Sequence, residues 1–225
     1  MTPNQEDLNR ISAPRQGVRR NYDRLSRWYD LITASTEERY RRQGLRVLDP
    51  QEGEMILEVG FGTGNALVAI AQAVGNSGKA VGVDLSLGMI AVTKAKLCRS
   101  GLTERVELIC ADALCLPLQA NRFEAVFMSF TLELFDTAEI ALVLEECRRV
   151  LRDHGRLCVV CLSQEKTISL MERSYIYFHR HFPAVFDCRP IRAEEELQRA
   201  GYQIERVTRF SLLGLRGRII LGYKR

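Results

Sequence analysis

The chain has 225 residues, 46% of them apolar and 27% charged, with a formal net charge of +4; that is enough for one domain with a sizeable core, in the ordinary range of globular chains. No apolar run approaches the length that crosses a bilayer, and the opening MTPNQEDLNR lacks the basic start and apolar core of a secretory signal. Seven cysteines, an odd number spread through apolar segments, point to reduced thiols in a cytoplasm and not to a disulfide frame.

In chain order, residues 1–17 are polar and lack periodicity. Val18, Tyr22, Leu25, Trp28, Tyr29 and Ile32 recur at helical spacing and predict a helix over 18–32. A second helix opens on Ser35 or Thr36 and runs to Leu48, where Asp49-Pro50 ends it. The pattern then changes. Strands are predicted over 55–59, 79–84, 105–110, 123–129 and 155–162, with helices over 66–74, 87–99 and 138–151 between them. Strands alternating with helices of this length are the mark of a parallel sheet covered on both faces. Helices over 167–180 and 192–200 follow, then strands over 203–210 and 216–223 joined by a short glycine-containing link, an antiparallel pair closing the sheet. The expected fold is therefore α/β and Rossmann-like: a seven-stranded, mostly parallel sheet with helices on both faces and an antiparallel C-terminal strand. Residues 1–50 form an N-terminal helical lid, and 51–225 the main domain with an insertion at 165–192.

Charge is uneven. Residues 1–50 carry ten arginines and no lysine against seven acids, and 201–225 carry six basic side chains against Glu205 alone. Such ends either form a solvated surface or attract an anionic membrane. The aromatic and basic interleaving of a nucleic-acid platform is absent, so no nucleic-acid partner is expected. The apolar, cationic end FSLLGLRGRIILGYKR reads as a buried hairpin with basic edges, or else as a peripheral membrane contact.

The densest signal is ILEVGFGTG, residues 56–64, a strand running into Gly60, Gly62 and Gly64 at the start of a helix. Glycines there let backbone approach a nucleotide-like ligand, and the helix N-terminus offers free N–H groups. A dinucleotide site would place its third glycine where Asn65 stands, and a P-loop would end in Gly-Lys-Ser/Thr. Glu58, two residues before Gly60, would repel phosphates and suits an ammonium or sulfonium instead. Asp84 ends the next strand in AVGVDLS, where a carboxylate accepts ribose hydroxyls, and Asp112 in CADAL follows the third strand, within reach of an adenine amino group. Read singly, each acid is equally a strand-end cap on its own turn.

That constellation resembles the class I S-adenosylmethionine-dependent methyltransferases, over residues 20–223. With YDRLSRWYDLI, VLEECRRVLRDHGRL and LQRAGY it looks like the ubiquinone/menaquinone-biosynthesis C-methyltransferases and their relatives, phospholipid N-methyltransferases among them. The resemblance implies that S-adenosyl-L-methionine is the cofactor. Gly60, Gly62 and Gly64 would line its methionine and ribose, Glu58 its ammonium, and Asp84 its ribose hydroxyls. Leu85 and Met89 would flank adenine, Asp112 and Ala113 would hold the adenine edge, and Ser129 would lie near the methionine end. Tyr22 and Tyr29 are candidates for lid contacts over the cofactor; equally, with Trp28, they bury a helix face.

FTLELFD stands where quinone methyltransferases carry a Gly-Leu-Arg-Asn-like stretch, with Thr131, Glu133 and Leu134 in place of groups that would handle a hydroxylated ring. The acceptor thus stays open among a quinone, a phospholipid precursor and another small or lipid-like molecule. Methyl transfer itself asks for alignment and exclusion of water; a carbon or oxygen nucleophile also needs a base. Candidate catalytic groups are Glu133, His179 and Tyr177, the last two in an aromatic-rich stretch after the fifth strand; His179, like His181, reads equally as an ordinary surface residue. Cys158 and Cys161 form a CxxC, but three residues apart on a strand point to opposite faces, and no second pair or histidine cluster completes a site, so no metal is expected. On the same residues, a non-catalytic sensor or scaffold for an adenosine ligand is the alternative function.

Overall fold

The computed structural model describes residues 37–164, 190–212 and 214–225. The predicted helices over 18–32 and 167–180, most of the 165–192 insertion, and Tyr22, Tyr29, Tyr177 and His179 lie outside the described residues.

Within them, helix α1 covers 37–48 and is followed by β1 (Met55–Val59), α2 (Asn65–Ala73), β2 (Lys79–Asp84), α3 (Leu87–Arg99), β3 (Val106–Cys110), β4 (Phe123–Ser129), α4 (Thr137–Val150), β5 (Leu151–Leu162), α5 (Ala193–Arg199), β6 (Tyr202–Leu212) and β7 (Leu215–Lys224). The sheet has seven strands in the order β3-β2-β1-β4-β5-β7-β6. β1 to β5 pair in parallel, and β7 runs antiparallel to both of its neighbours. The last hairpin therefore folds back so that its second strand lies inside its first.

Both faces of the sheet are covered, which is why the central strands are apolar at nearly every position and show no alternation. Leu57, Val59, Val126, Met128, Leu157, Val159 and Cys161 pack towards α4 and α5. Ile56, Ala125, Phe127, Cys158 and Val160 pack towards α1, α2 and α3. Cys158 and Cys161 thus stand on opposite faces, as expected, and all six described cysteines are free. Among the described residues no group of side chains could hold a metal ion, and no helix is long and apolar enough to cross a membrane.

Local chemistry explains the element ends. Asp49, in the left-handed region at φ 53°, closes α1 ahead of Pro50, its N–H bonding to Leu45 O. Ser86 caps α3 through its side chain, and Asp136 forms a capping box with Glu139 at α4. The clearest departure from expectation is β5, which begins at Leu151 and not at residue 155. Leu151 pairs with Phe123, the next three residues bulge outward with His154 at φ 61°, and the ladder resumes at Ala125 and Arg156. The C-terminal stretch is the buried hairpin, with Ile219 and Ile220 fully enclosed.

α1, counted with the N-terminal lid on sequence grounds, is built into the core. Leu48 is fully buried, and Arg156 holds the end of the helix by donating to Leu48 O and Asp49 O while pairing with Glu54. Tyr40, towards the other end, donates its hydroxyl to Ser211 O and stacks on Phe210 with ring centroids 4.0 Å apart. α1 therefore runs antiparallel to the central strands, and its N-terminal end reaches their carboxyl edge.

Candidate functional site

The strand order reverses between β1 and β4, and in open α/β sheets ligands bind in the crevice at the carboxyl ends of the strands flanking that point. The segment after β1 is the glycine loop; the segment after β4 is Ser129–Thr131. They touch. Gly60 is in the left-handed region at φ 71°, and a Cβ there would stand 2.5 Å from Thr131 Oγ1, whose hydroxyl donates to Ser129 O and Gly60 O. Phe130 is also left-handed, at φ 53°, a conformation that costs a bulky residue free energy and that clusters at functional sites. Gly64, the N-cap of α2, passes against Thr93, and Thr93 Oγ1 donates to Gly62 O. Gly62 differs from both: its φ is 52°, yet a Cβ there would meet nothing within 4 Å. The loop is thus held from both sides and bare at its middle.

Of the acids, Asp84 reaches that bare position. Asp84 Oδ2 accepts from Gly62 N at 2.8 Å and Oδ1 from Ser86 N at 2.9 Å. Asp84 therefore caps its own turn and also ties β2 to the glycine loop. Asp112 Oδ1 accepts from Leu114 N at 3.0 Å, a local turn of the ordinary kind, beside buried Ala113. Glu58 is only 2% exposed, and its Oε2 is buried without a hydrogen-bond partner. Burial pushes its carboxyl well above the usual carboxylate range and the charge of Asp84 adds to this, with Arg41 and Lys96 opposing. Ser129 Oγ is likewise buried with no partner. Unsatisfied buried groups are rare and costly in native proteins. Two of them, near the carboxyl ends of the neighbouring strands β1 and β4, fit a ligand that carries both a cation and hydrogen-bonding groups.

The other predicted residues divide. Leu85 is 38% exposed next to Asp84. Met89 is buried in the core, with its N–H on Ser86 Oγ. Glu133 is fully buried in the turn after β4, where Oε1 accepts from Leu162 N at 3.1 Å.

Sequence reading missed several groups that the fold brings in. Lys96 donates to the side chain of Asn65, the residue standing where a dinucleotide site needs glycine. Thr93 braces the loop as described. At the same edge, Tyr40 and Phe130 both contact Phe210, the second edge-on with centroids 6.3 Å apart, so three distant segments make one aromatic group. No local pattern in the sequence pairs these residues; only α1 docking on the C-terminal hairpin does.

Comparison with known proteins agrees with this geometry. A methyltransferase domain family matches residues 56–155. Demethylmenaquinone methyltransferase of Bacillus pumilus is 30% identical over 181 residues, which is 80% of this chain and 74% of that protein. The Staphylococcus aureus protein of the same name is 28% identical over 196 residues, 87% and 76% of the two chains. The crystal structure of the [4+2]-cyclase SpnF superposes with a TM-score of 0.75 at 18% identity, over 96% of this chain and 97% of the other. A SAM-dependent methyltransferase from Aquifex aeolicus gives 0.65 at 20%, over 91% and 98%. At these identities the two structures speak for the fold alone. The relatives in sequence carry the argument further: the chain belongs to the class I S-adenosyl-L-methionine-dependent methyltransferases, with S-adenosyl-L-methionine as its cofactor, and within that class it resembles the menaquinone-biosynthesis family.

Proposed function

We propose that the chain methylates a quinone-related, flat and largely apolar acceptor, with the cofactor lying across the crevice between β1 and β4. The observation that carries the cofactor placement is the open space at Gly62, bonded to Asp84 and flanked by the unpartnered buried oxygen of Glu58. In this reading Glu58 accepts from the methionyl ammonium, whose positive charge offsets the cost of ionising a buried carboxyl. Asp84 accepts from the ribose hydroxyls while it keeps its bonds to Gly62 and Ser86. Asp112, Ala113 and Leu85 surround the adenine, with Met89 supporting that wall from the core, and Ser129 faces the methionyl end.

When bound, the cofactor supplies a sulfonium methyl that is already activated for displacement. What the chain must add is alignment of the acceptor, exclusion of water and, for a hydroxylated ring, removal of a proton. Tyr40, Phe130 and Phe210 offer an apolar wall at the strand edge. His179 and Tyr177 are the proposed acceptor-side groups, His179 as the base; buried Glu133 is not assigned that role. The names of the sequence relatives support a quinone-related ring over a phospholipid amine.

Calorimetry tests the cofactor site. S-adenosylhomocysteine should bind far more tightly than NAD. Asp84→Asn should weaken it about tenfold to a hundredfold, the worth of a charge-assisted hydrogen bond to a hydroxyl. NAD binding equally well would overturn the placement. For the acceptor, methyl transfer from labelled cofactor to demethylated quinols should exceed transfer to phosphatidylethanolamine; the reverse order would remove the quinone reading.

A further inference from the structure

The apolar wall at the strand edge has a carboxyl beside it that the cofactor placement leaves unused. The buried positions of α1 are Glu37, Gly44 and Leu48, the stripe turned to the sheet. Gly44 packs directly on β4 and β5: a Cβ there would overlap Val160 and stand 3.1 Å from the ring of Phe127. Both strands end two residues further on, at Ser129 and Leu162, about 7 Å along a strand. Glu37 lies seven residues before Gly44, about 10 Å along the helix. Glu37 therefore stands just past the strand ends, over the mouth of the crevice and not over the sheet. Tyr40, its neighbour three residues on, stacks on Phe210, which also meets Phe130.

The Glu37 carboxyl is shut off from water and short of donors. The residue is 8% exposed. Arg41 Nη2 stands 3.6 Å away, too far for a hydrogen bond, while Arg41 Nη1 donates to Glu38 at 2.8 Å. Among the described residues none donates a hydrogen bond to Glu37. Arg41, from the same helix, supplies the described charge that acts on it; no other described element contributes one. Burial outweighs that charge and pushes the carboxyl up to about 7. A buried carboxyl in this state gains from any hydroxyl that reaches it, and the crevice is the side from which a ligand comes.

We propose that Glu37 accepts a hydrogen bond from a ring hydroxyl of the acceptor, opposite the one that the base takes, so that the site selects the reduced dihydroxy ring over its oxidised dione. A quinol offers an O–H donor at each end of the ring. A quinone presents carbonyl oxygens alone, which an ionised carboxyl repels. Glu37 binds and orients the ring and takes no proton in the reaction. The inference rests on the quinone reading above and adds to it a residue that senses the redox state of the acceptor.

The test uses 2,3-dimethyl-1,4-naphthoquinone and its quinol, a pair of one size with no free carbon beside the oxygens to be methylated or to add a thiol. Anaerobic calorimetry on protein saturated with S-adenosylhomocysteine measures both. At pH 8 wild type should bind the quinol about tenfold to a hundredfold more tightly than the quinone. Glu37→Gln should cut that ratio about tenfold at pH 8, and its gap from wild type should narrow towards pH 6, where the wild-type carboxyl is protonated. S-adenosylhomocysteine should bind the variant within about twofold of wild type. A wild-type ratio near one overturns the proposal without any variant. So does a gap that is independent of pH, or an equal loss of both rings in Glu37→Gln, which would make Glu37 a support of the fold. If S-adenosylhomocysteine binds and neither ring does, the quinone reading has failed and the proposal with it.

Discussion

Replacing Gly60 and Gly62 in turn by alanine separates the bracing of the loop from its contact with the cofactor. Both residues are left-handed, at φ 71° and 52°, so either alanine costs about 1–2 kcal/mol in backbone conformation. At Gly62 nothing is added, because the new methyl meets no atom within 4 Å. At Gly60 the methyl enters the space of Thr131, 2.5 Å from its Oγ1 and 2.9 Å from its Cβ. Overpacking of that kind adds about 1–3 kcal/mol, for a total of roughly 2–5 kcal/mol. Urea denaturation should therefore show Gly60→Ala clearly less stable than Gly62→Ala. Adding Thr131→Ala to Gly60→Ala should restore about 1–2 kcal/mol, because it removes the hydroxyl and methyl that clash. Cofactor affinity should rank the other way: Gly62→Ala folds well but fills the space proposed for the ligand, and binding should fall by at least about tenfold. Equal destabilisation at the two positions would refute the close approach to Thr131. Wild-type affinity in Gly62→Ala would refute the placement of the ligand over the bare middle of the loop.

Glu37, buried at the start of the described part of α1, has its carboxyl pushed from 4.5 up to about 7 by burial, with Arg41 opposing. Its folded value is raised, so its contribution is fully present below pH 4.5 and is lost as pH climbs through 7. Glu37→Gln should match wild type near pH 4.5 and exceed it at pH 8 by up to about 3 kcal/mol in chemical denaturation; a difference independent of pH would refute this. Thiol labelling followed by mass spectrometry should find Cys98, Cys110 and Cys115 reactive in the native protein, and Cys147, Cys158 and Cys161 reactive only on unfolding. Burial pushes the Cys147 thiol up to about 12 and raises those of Cys158 and Cys161 as well. Cys110, whose Sγ lies 3.6 Å from Leu85 O, should label more slowly once S-adenosylhomocysteine is bound; an unchanged rate would put Leu85 away from the adenine.

The alternation of apolar strands with amphipathic helices determined the fold class, because burial on both faces leaves a period that can be read locally. The glycine loop and the acids Glu58, Asp84 and Asp112 could be placed at one edge for a similar reason: each lies at or just past the end of a strand, and strand ends of a parallel sheet share one edge. Strand geometry separates the two thiols of the CxxC, and the sheet does set Cys158 and Cys161 apart. Local pattern could not reveal that β7 sits inside β6, since hairpin order in a sheet depends on which strand better covers β5. Nor could it show that Glu133 is buried with Leu162 N bonded to its carboxylate, because a carboxylate in a short turn reads as exposed until its neighbours are known. Nothing local shows how Tyr40, Thr93, Thr131 and Phe210 enter the site. They enter the site because α1 docks on the sheet, α3 braces the glycine loop, and the left-handed turn at Phe130 swings Thr131 onto Gly60, contacts between residues far apart in the chain that only the packed tertiary structure brings within reach.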